Sequence, residues 1–424
     1  MHPPQLPSFD NLWPGMLSGL MNKKILNSIV LVSALGYFVD VFDLILFGVV
    51  RMSSLKDIGI PEDQILNAGI KILNAQMIGM LLGGIFWGIL GDKKGRISVL
   101  FGSILLYSVA NIANAFVGSV DSYVFWRFLA GIGLAGELGA AITLVNETMT
   151  KETRGLGTTI VATFGIFGAL FAVVIGDLFS WKTSYIIGGV MGLVLLLLRF
   201  KMYESGMYER AANHASKKGS LSLLLFGNSE RFWRYIRCLI VGIPIWFVIG
   251  ILVTFSPEIA KELGATGVVS AAKAIFYCYV GLAIGDLGSG IISHYFKSRK
   301  KILYPFLLFI LASTLILLFG RGQDPNFFYL MSLLLGTGAG YWAVFVTSSS
   351  EQFGTNLRAT VTTSVPNFVR GSVVLLTLSV NAMKDSFGLV NATLIVGIVV
   401  IILGLLALSF QKDSFGHDLD FLET

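Results

Sequence analysis

Twelve apolar runs, each about the length that crosses a bilayer, constrain this 424-residue chain more than any other feature. A helix needs roughly 20 largely apolar residues to span about 30 Å of hydrocarbon. Runs of that size fall at 25–50, 67–90, 97–118, 123–148, 156–179, 183–203, 233–256, 267–294, 302–320, 326–350, 359–383 and 387–410. Within lipid a single segment satisfies its backbone hydrogen bonds only as a helix, so the expectation is an all-α polytopic membrane protein. A water-soluble globule is excluded, because 13% charged residues against 54% hydrophobic leave too little charge for a wetted surface. The first run, from Ile25, exceeds a signal-peptide core and has no small-residue cleavage site after it, which predicts a retained span.

The longest polar interruption, 204–232, splits the runs into two groups of six. The expected organisation is an N-terminal segment 1–24, a six-helix bundle 25–203, a linker 204–232, a second bundle 233–410 and a tail 411–424. With both termini inside, 21 Lys and Arg fall on the inner side and 7 on the outer, Arg51 among the outer and Arg199 among the inner; Arg127, Lys273 and Arg370 lie within runs. That asymmetry predicts cytoplasmic termini, linker and tail. The net charge of +6 is scattered between apolar runs and forms no nucleic-acid patch.

The halves repeat one device. Glu147 precedes Arg154 by seven residues, as Glu351 precedes Arg358, and upstream lie Gly131, Gly133 and Gly136 in one half and Gly336, Gly338 and Gly340 in the other. Such small residues let membrane helices approach closely. Two related six-helix halves meeting at a midplane site is a secondary-transporter plan.

Several motifs carry a family resemblance. Gly88-Ile89-Leu90-Gly91-Asp92-Lys93-Lys94-Gly95-Arg96 resembles the loop between spans 2 and 3 of the major facilitator superfamily, with Ile97 where a further basic residue is common. The run from Arg127 through Gly131, Gly133, Gly136 and Glu137 to Glu147 and Arg154 is similar to that of its metabolite:proton, aromatic acid:proton and organic ion branches. Asp40-Val41-Phe42-Asp43-Leu44 resembles the first-span signature of the aromatic acid group, and Arg370, twelve residues past Arg358, matches its substrate-facing arginine. The resemblance implies twelve helices in two pseudo-symmetric bundles. It also implies a latch from Gly88, Asp92, Gly95, Arg96, Glu147, Arg154, Glu351 and Arg358, and a pairing of Asp43 with Arg127 that couples protonation to conformation.

The residues themselves support functional charges. A charge at mid-span costs about 3 kcal/mol on insertion scales, so it faces a cavity or a partner. Asp40 and Asp43 share a helical face, as do Arg127 and Glu137, which allows one buried network. Arg370 either receives an anionic substrate or pairs with an acid such as Asp286; Glu137 either shapes a pocket or ties helices together. By the repeat, Tyr341 corresponds to Glu137 and is expected to face the same cavity beside Trp342, while Trp246 is a candidate outer gate. The two cysteines sit in apolar runs, which supports neither a disulfide framework nor a metal site, and no nucleotide loop or nucleophile triad is present.

The expected function is proton-coupled uptake of a small organic acid by alternating access, in the cell inner membrane. The chain is expected to be a monomer without cofactor, driven by the proton gradient. Its partners are the anionic substrate, protons and the bilayer, and it is no enzyme. The rivals are a proton-driven exporter of a drug or siderophore and a transporter-like receptor.

Overall fold

The structure is a computed structural model that describes residues 28–94, 96–137, 139, 154–204, 228–415 and 423. Helices fall on all twelve apolar runs. In the N-terminal half they are α1 (Ser28–Asp57), α2 (Ile65–Lys94), α3 (Arg96–Asn114), α4 (Val120–Leu134), α5 (Arg154–Leu178) and α6 (Trp181–Glu204). In the C-terminal half they are α7 (Ser229–Phe247), α8 (Ser256–Glu262), α9 (Ala271–Tyr295), α10 (Lys300–Phe319), α11 (Pro325–Ala339), α12 (Trp342–Glu351), α13 (Thr355–Gly371), α14 (Val373–Phe387) and α15 (Leu389–Ser409). Among the described residues, nine segments are long and apolar enough to cross a membrane unaided, and Val99–Asn114 is a shorter apolar helix.

Local chemistry sets the boundaries. Ser119 and Ser122 form a capping box that opens α4, and Asp324 caps Phe327 N–H with Pro325 at the first helical position of α11. Pro244 lies within α7 and cannot donate to the ladder; α7 continues into a π segment, Val248–Val253, where Thr254 Oγ1 donates to Ile249 O at 2.7 Å. The tenth run divides at Gly340 and Tyr341 into α11 and α12, and the eleventh divides at Ser372 into α13 and α14.

Glycine contacts bind each half in the same way. On α2, Gly79 and Gly83 meet the backbone of α4 at Phe128 and Ile132, and Gly131 returns the contact at Gln76. On α9, Gly281 and Gly285 meet α11 at Leu333 and Thr337, and Gly336 returns it at Cys278. The shared four-residue spacing brings backbones into direct contact, where any Cβ would collide with main chain. The halves then meet along α1 and α5 against α9, and along α2 against α13 and α14. Residues Gly95 and Glu147 of the expected latch, and the segment 205–227, lie outside the described residues.

Candidate functional site

One face of α1 carries the site. Gly36, Asp40 and Asp43 recur at i, i+4 and i+7, so a single helical stripe presents each of them to a different arginine. Asp43 accepts from Arg127 Nη1 at 2.9 Å, Arg127 also donates to Asn111 Oδ1 and to Asp43 O, and both charged side chains are fully buried. The Arg127 guanidinium lies 5.5 Å from the Tyr185 ring, and the Tyr185 hydroxyl shares a 2.7 Å hydrogen bond with that of Tyr123. Asp43 is thus fixed within the N-terminal half.

Asp40, one turn away, looks across to the other half. Its carboxylate lies 3.5 Å from Arg370 Nη1 on α13, and Arg370 Nη2 donates to Tyr37 Oη at 3.3 Å. Among the described residues neither Asp40 oxygen makes a hydrogen bond, nor do Arg370 Nε and Nη1. Two indoles flank the guanidinium, with ring centroids 5.9 Å away for Trp246 and 6.0 Å for Trp342. Trp246 is buried, and its Nε1 also lacks a partner among the described residues. Open donors, an unbonded acid and aromatic walls therefore converge at one buried point.

At the Gly36 level, Glu137 and Arg199 form a two-pronged ion pair. It passes so close to Gly36 that a side chain there would overlap both partners. Glu137 is therefore held by α6, and Arg199, counted from the sequence among inner-side charges, is instead buried. The apolar run 183–203 passes through it, but hydropathy cannot distinguish a paired buried arginine from a solvated one. Arg51 needs the same correction: it is fully buried in the last turns of α1 and donates to Glu258 of the C-terminal half at 2.6 and 2.8 Å and to Thr254 O at 3.1 Å. Thr377 donates to Asn74 Oδ1 at 2.6 Å nearby, so polar bonds between the halves close this end. On the other side of Arg370, Asn367 Nδ2 donates to Ala135 O at 3.1 Å.

The remaining candidates separate. Arg370 pairs with Asp40 and not with Asp286, whose carboxylate accepts from Ala343 N–H at 2.9 Å. Tyr341 donates to Val241 O at 2.9 Å, a bond internal to the C-terminal half. Gly88 and Asp92 end α2, Arg96 opens α3 and Arg154 opens α5; the side chains of Asp92, Arg96 and Arg154 lie outside the described residues. Glu351 pairs with Arg299 at 3.3 Å and accepts from Ser414 at 2.8 Å, while Arg358 donates to Phe353 O. No residue signal marked Arg51, Glu258 or Arg199, whose partners lie far away in sequence; the polar Asn74, Asn111 and Thr377 inside apolar runs were the available hint.

The Major Facilitator Superfamily profile matches residues 33–377. The chain belongs to this superfamily. It is a multi-pass membrane transporter and not an enzyme, with the all-α architecture of two six-helix halves. A Bacillus subtilis (strain 168) protein named as a niacin/nicotinamide transporter is 27% identical over 294 residues, 67% of this chain and 71% of that protein. The 4-hydroxybenzoate transporter of Pseudomonas aeruginosa is 28% identical over 227 residues, covering 51% and 49%. The inward-open xylose transporter of E. coli shares the fold, with a TM-score of 0.68 at 16% identity over 92% of this chain and 98% of that one.

Proposed function

We propose that this transporter is a proton-coupled symporter that takes up a small organic acid, an aromatic carboxylate best of all, across the inner membrane, with both termini cytoplasmic. The observation that carries the reading is the unbonded approach of Asp40 to Arg370 between Trp246 and Trp342. With Nε and Nη1 unbonded, either of them together with the second N–H of Nη2 can bind a carboxylate through two parallel hydrogen bonds. Indole faces beside it suit a flat ring. Relatives named for niacin and 4-hydroxybenzoate transport agree with such a ligand.

The coupling follows from competition for one cation. In the empty site Arg370 balances Asp40. An arriving carboxylate takes Arg370, and Asp40, still buried and now without its counter-ion, is favoured in the protonated form. Substrate and proton then load together, and the loaded site has the same net charge as the empty one, so the halves can rearrange without carrying extra charge through the bilayer. Asp40 suits this role better than Asp43, because Arg127 bonds both Asp43 Oδ1 and the Asp43 carbonyl within one half, whereas neither Asp40 oxygen is bonded among the described residues.

Proteoliposomes with an imposed inside-alkaline gradient test the proposal with radiolabelled benzoate. Accumulation that collapses with a protonophore and is lost in Arg370→Ala is the expected result. Extrusion under the same gradient would assign the exporter direction, and saturable binding without counterflow would assign a receptor.

A further inference from the structure

We propose that Asp286 is a positioning residue for the aromatic wall of the site: its carboxylate anchors the half-helix that sets Trp342 against Arg370. The inference rests on the substrate reading above and extends it to a residue that reading does not use.

The geometry begins at the break in the tenth run. α11 ends at Ala339 and α12 begins at Trp342, so the first turn of α12 has backbone N–H groups without partners inside its own helix. In a soluble protein water satisfies them, but within a bilayer each needs a protein acceptor. Tyr341, at the N-cap, supplies no side-chain cap. Asp286 reaches over from α9 and accepts from Ala343 N–H at 2.9 Å. Gly285 and Gly340 make this approach possible, since a Cβ on Gly340 would collide with the Gly285 and Asp286 backbone. The cap therefore comes from a neighbouring helix.

The residue directly before Ala343 is Trp342, whose ring lies 6.0 Å from the Arg370 guanidinium and 5.8 Å from the Phe345 ring. Fixing Ala343 N–H fixes the first turn of α12 and so the rotation at which Trp342 leaves the helix. A negative group at a helix N-terminus is also favoured by the helix dipole. Capping requires only an acceptor oxygen, which Asn supplies and Ala does not. The charge of Asp286 is thus dispensable and its oxygen is not.

The test compares Asp286→Asn and Asp286→Ala for binding of benzoate and of propionate, which lacks a ring for Trp342 to cover. Asp286→Asn should hold both affinities within about twofold, while Asp286→Ala should weaken benzoate about tenfold, the loss of one cap, and propionate far less. In a Trp342→Ala background, Asp286→Ala should weaken benzoate no further, because its effect passes through that ring. Equal losses for both acids in Asp286→Ala, or a benzoate loss in Asp286→Asn, overturn the inference; the Asn variant decides it even where the Ala variant fails to fold. If wild-type affinity for either acid is indifferent to Arg370→Ala, the substrate reading itself fails, a result separate from the Asp286 comparison.

Discussion

Asp40 and Arg370 face each other across the two halves at 3.5 Å without a hydrogen bond, whereas Asp43 and Arg127, one turn along the same helix, are bonded at 2.9 Å within one half. The contrast separates an exchangeable charge pair from a structural one. An ion pair made between halves separates when the halves rearrange, while one made within a half, its arginine shared with Asn111, stiffens the bundle that must move as a body.

Neutralising the two acids should therefore give different failures. Asp40→Asn should keep substrate exchange but lose accumulation against a gradient, since no proton site remains to couple. Asp43→Asn should destabilise, because it leaves Arg127 buried with a weakened partner, a change of about 3 kcal/mol by analogy with other broken buried pairs. Thermal unfolding in detergent and paired exchange and accumulation assays check both; coupled accumulation by Asp40→Asn would return the proton site to Asp43.

Arg370 should bind by shape as well as charge. Arg370→Lys keeps the cation but loses the planar fork, and Arg370→Ala removes the contact, with losses of about 2 to 5 kcal/mol in benzoate affinity. Benzamide should bind the wild type weakly and lose little more on Arg370→Ala. Calorimetric titration of both ligands on both proteins reads this out, and a benzoate affinity unchanged by either substitution would leave Arg370 a structural charge.

Much of this architecture was legible in sequence because the bilayer imposes one length on every span and a penalty on every charge inside it. Those two rules give the twelve runs, the two halves, and Asp40, Asp43, Arg127 and Arg370 as buried charges. The repeat of Gly131 and Gly336 is legible for a related reason, since close helix approach tolerates few residue types. Partner choice was not legible. Glu137 meets Arg199 and Arg51 meets Glu258 through tertiary packing, over 62 and 207 residues of chain. Local hydropathy places an arginine near a run's end in solvent whether or not a distant acid neutralises it. Tyr341 shows the limit of the repeat itself: the matched contacts of Gly131 and Gly336 set Trp342, not Tyr341, opposite Glu137, and the tyrosine hydroxyl takes Val241 O.

The closed end offers a gate prediction. Arg51 and Glu258 join the halves on the side opposite the Arg299 and Glu351 cluster, and a fully buried arginine that loses its acid is strongly unfavourable. Glu258→Gln and Arg51→Gln should each shift the population towards the state open at this end. The exchanged pair Arg51→Glu with Glu258→Arg should partly restore closure. Labelling of a cysteine introduced at Asn74 reports opening; equal labelling rates in wild type and both single variants would remove the gate role.

The last prediction concerns the fork under Gly36. Glu137, just past the end of α4, and Arg199 of α6 form the fork directly beneath α1, and any side chain at Gly36 would occupy the space of both charged groups. Gly36→Ala should therefore act as a charge-pair mutation although it changes no charge: it displaces the fork, lowers the unfolding temperature, and leaves the Arg370 site in place. Glu137→Gln and Arg199→Gln should each destabilise by about 3 kcal/mol, the cost of an unpaired buried partner, and the double variant by less than the sum because neither charge is then left alone. If Gly36 mattered only as a flexible point in α1, Gly36→Ala would stabilise by raising helix propensity, by up to about 1 kcal/mol. The sign of the shift in thermal unfolding thus decides between a steric and a conformational role. Repeating Gly36→Ala in the Glu137→Gln, Arg199→Gln background should shrink its penalty, since the uncharged side chains are free to move aside.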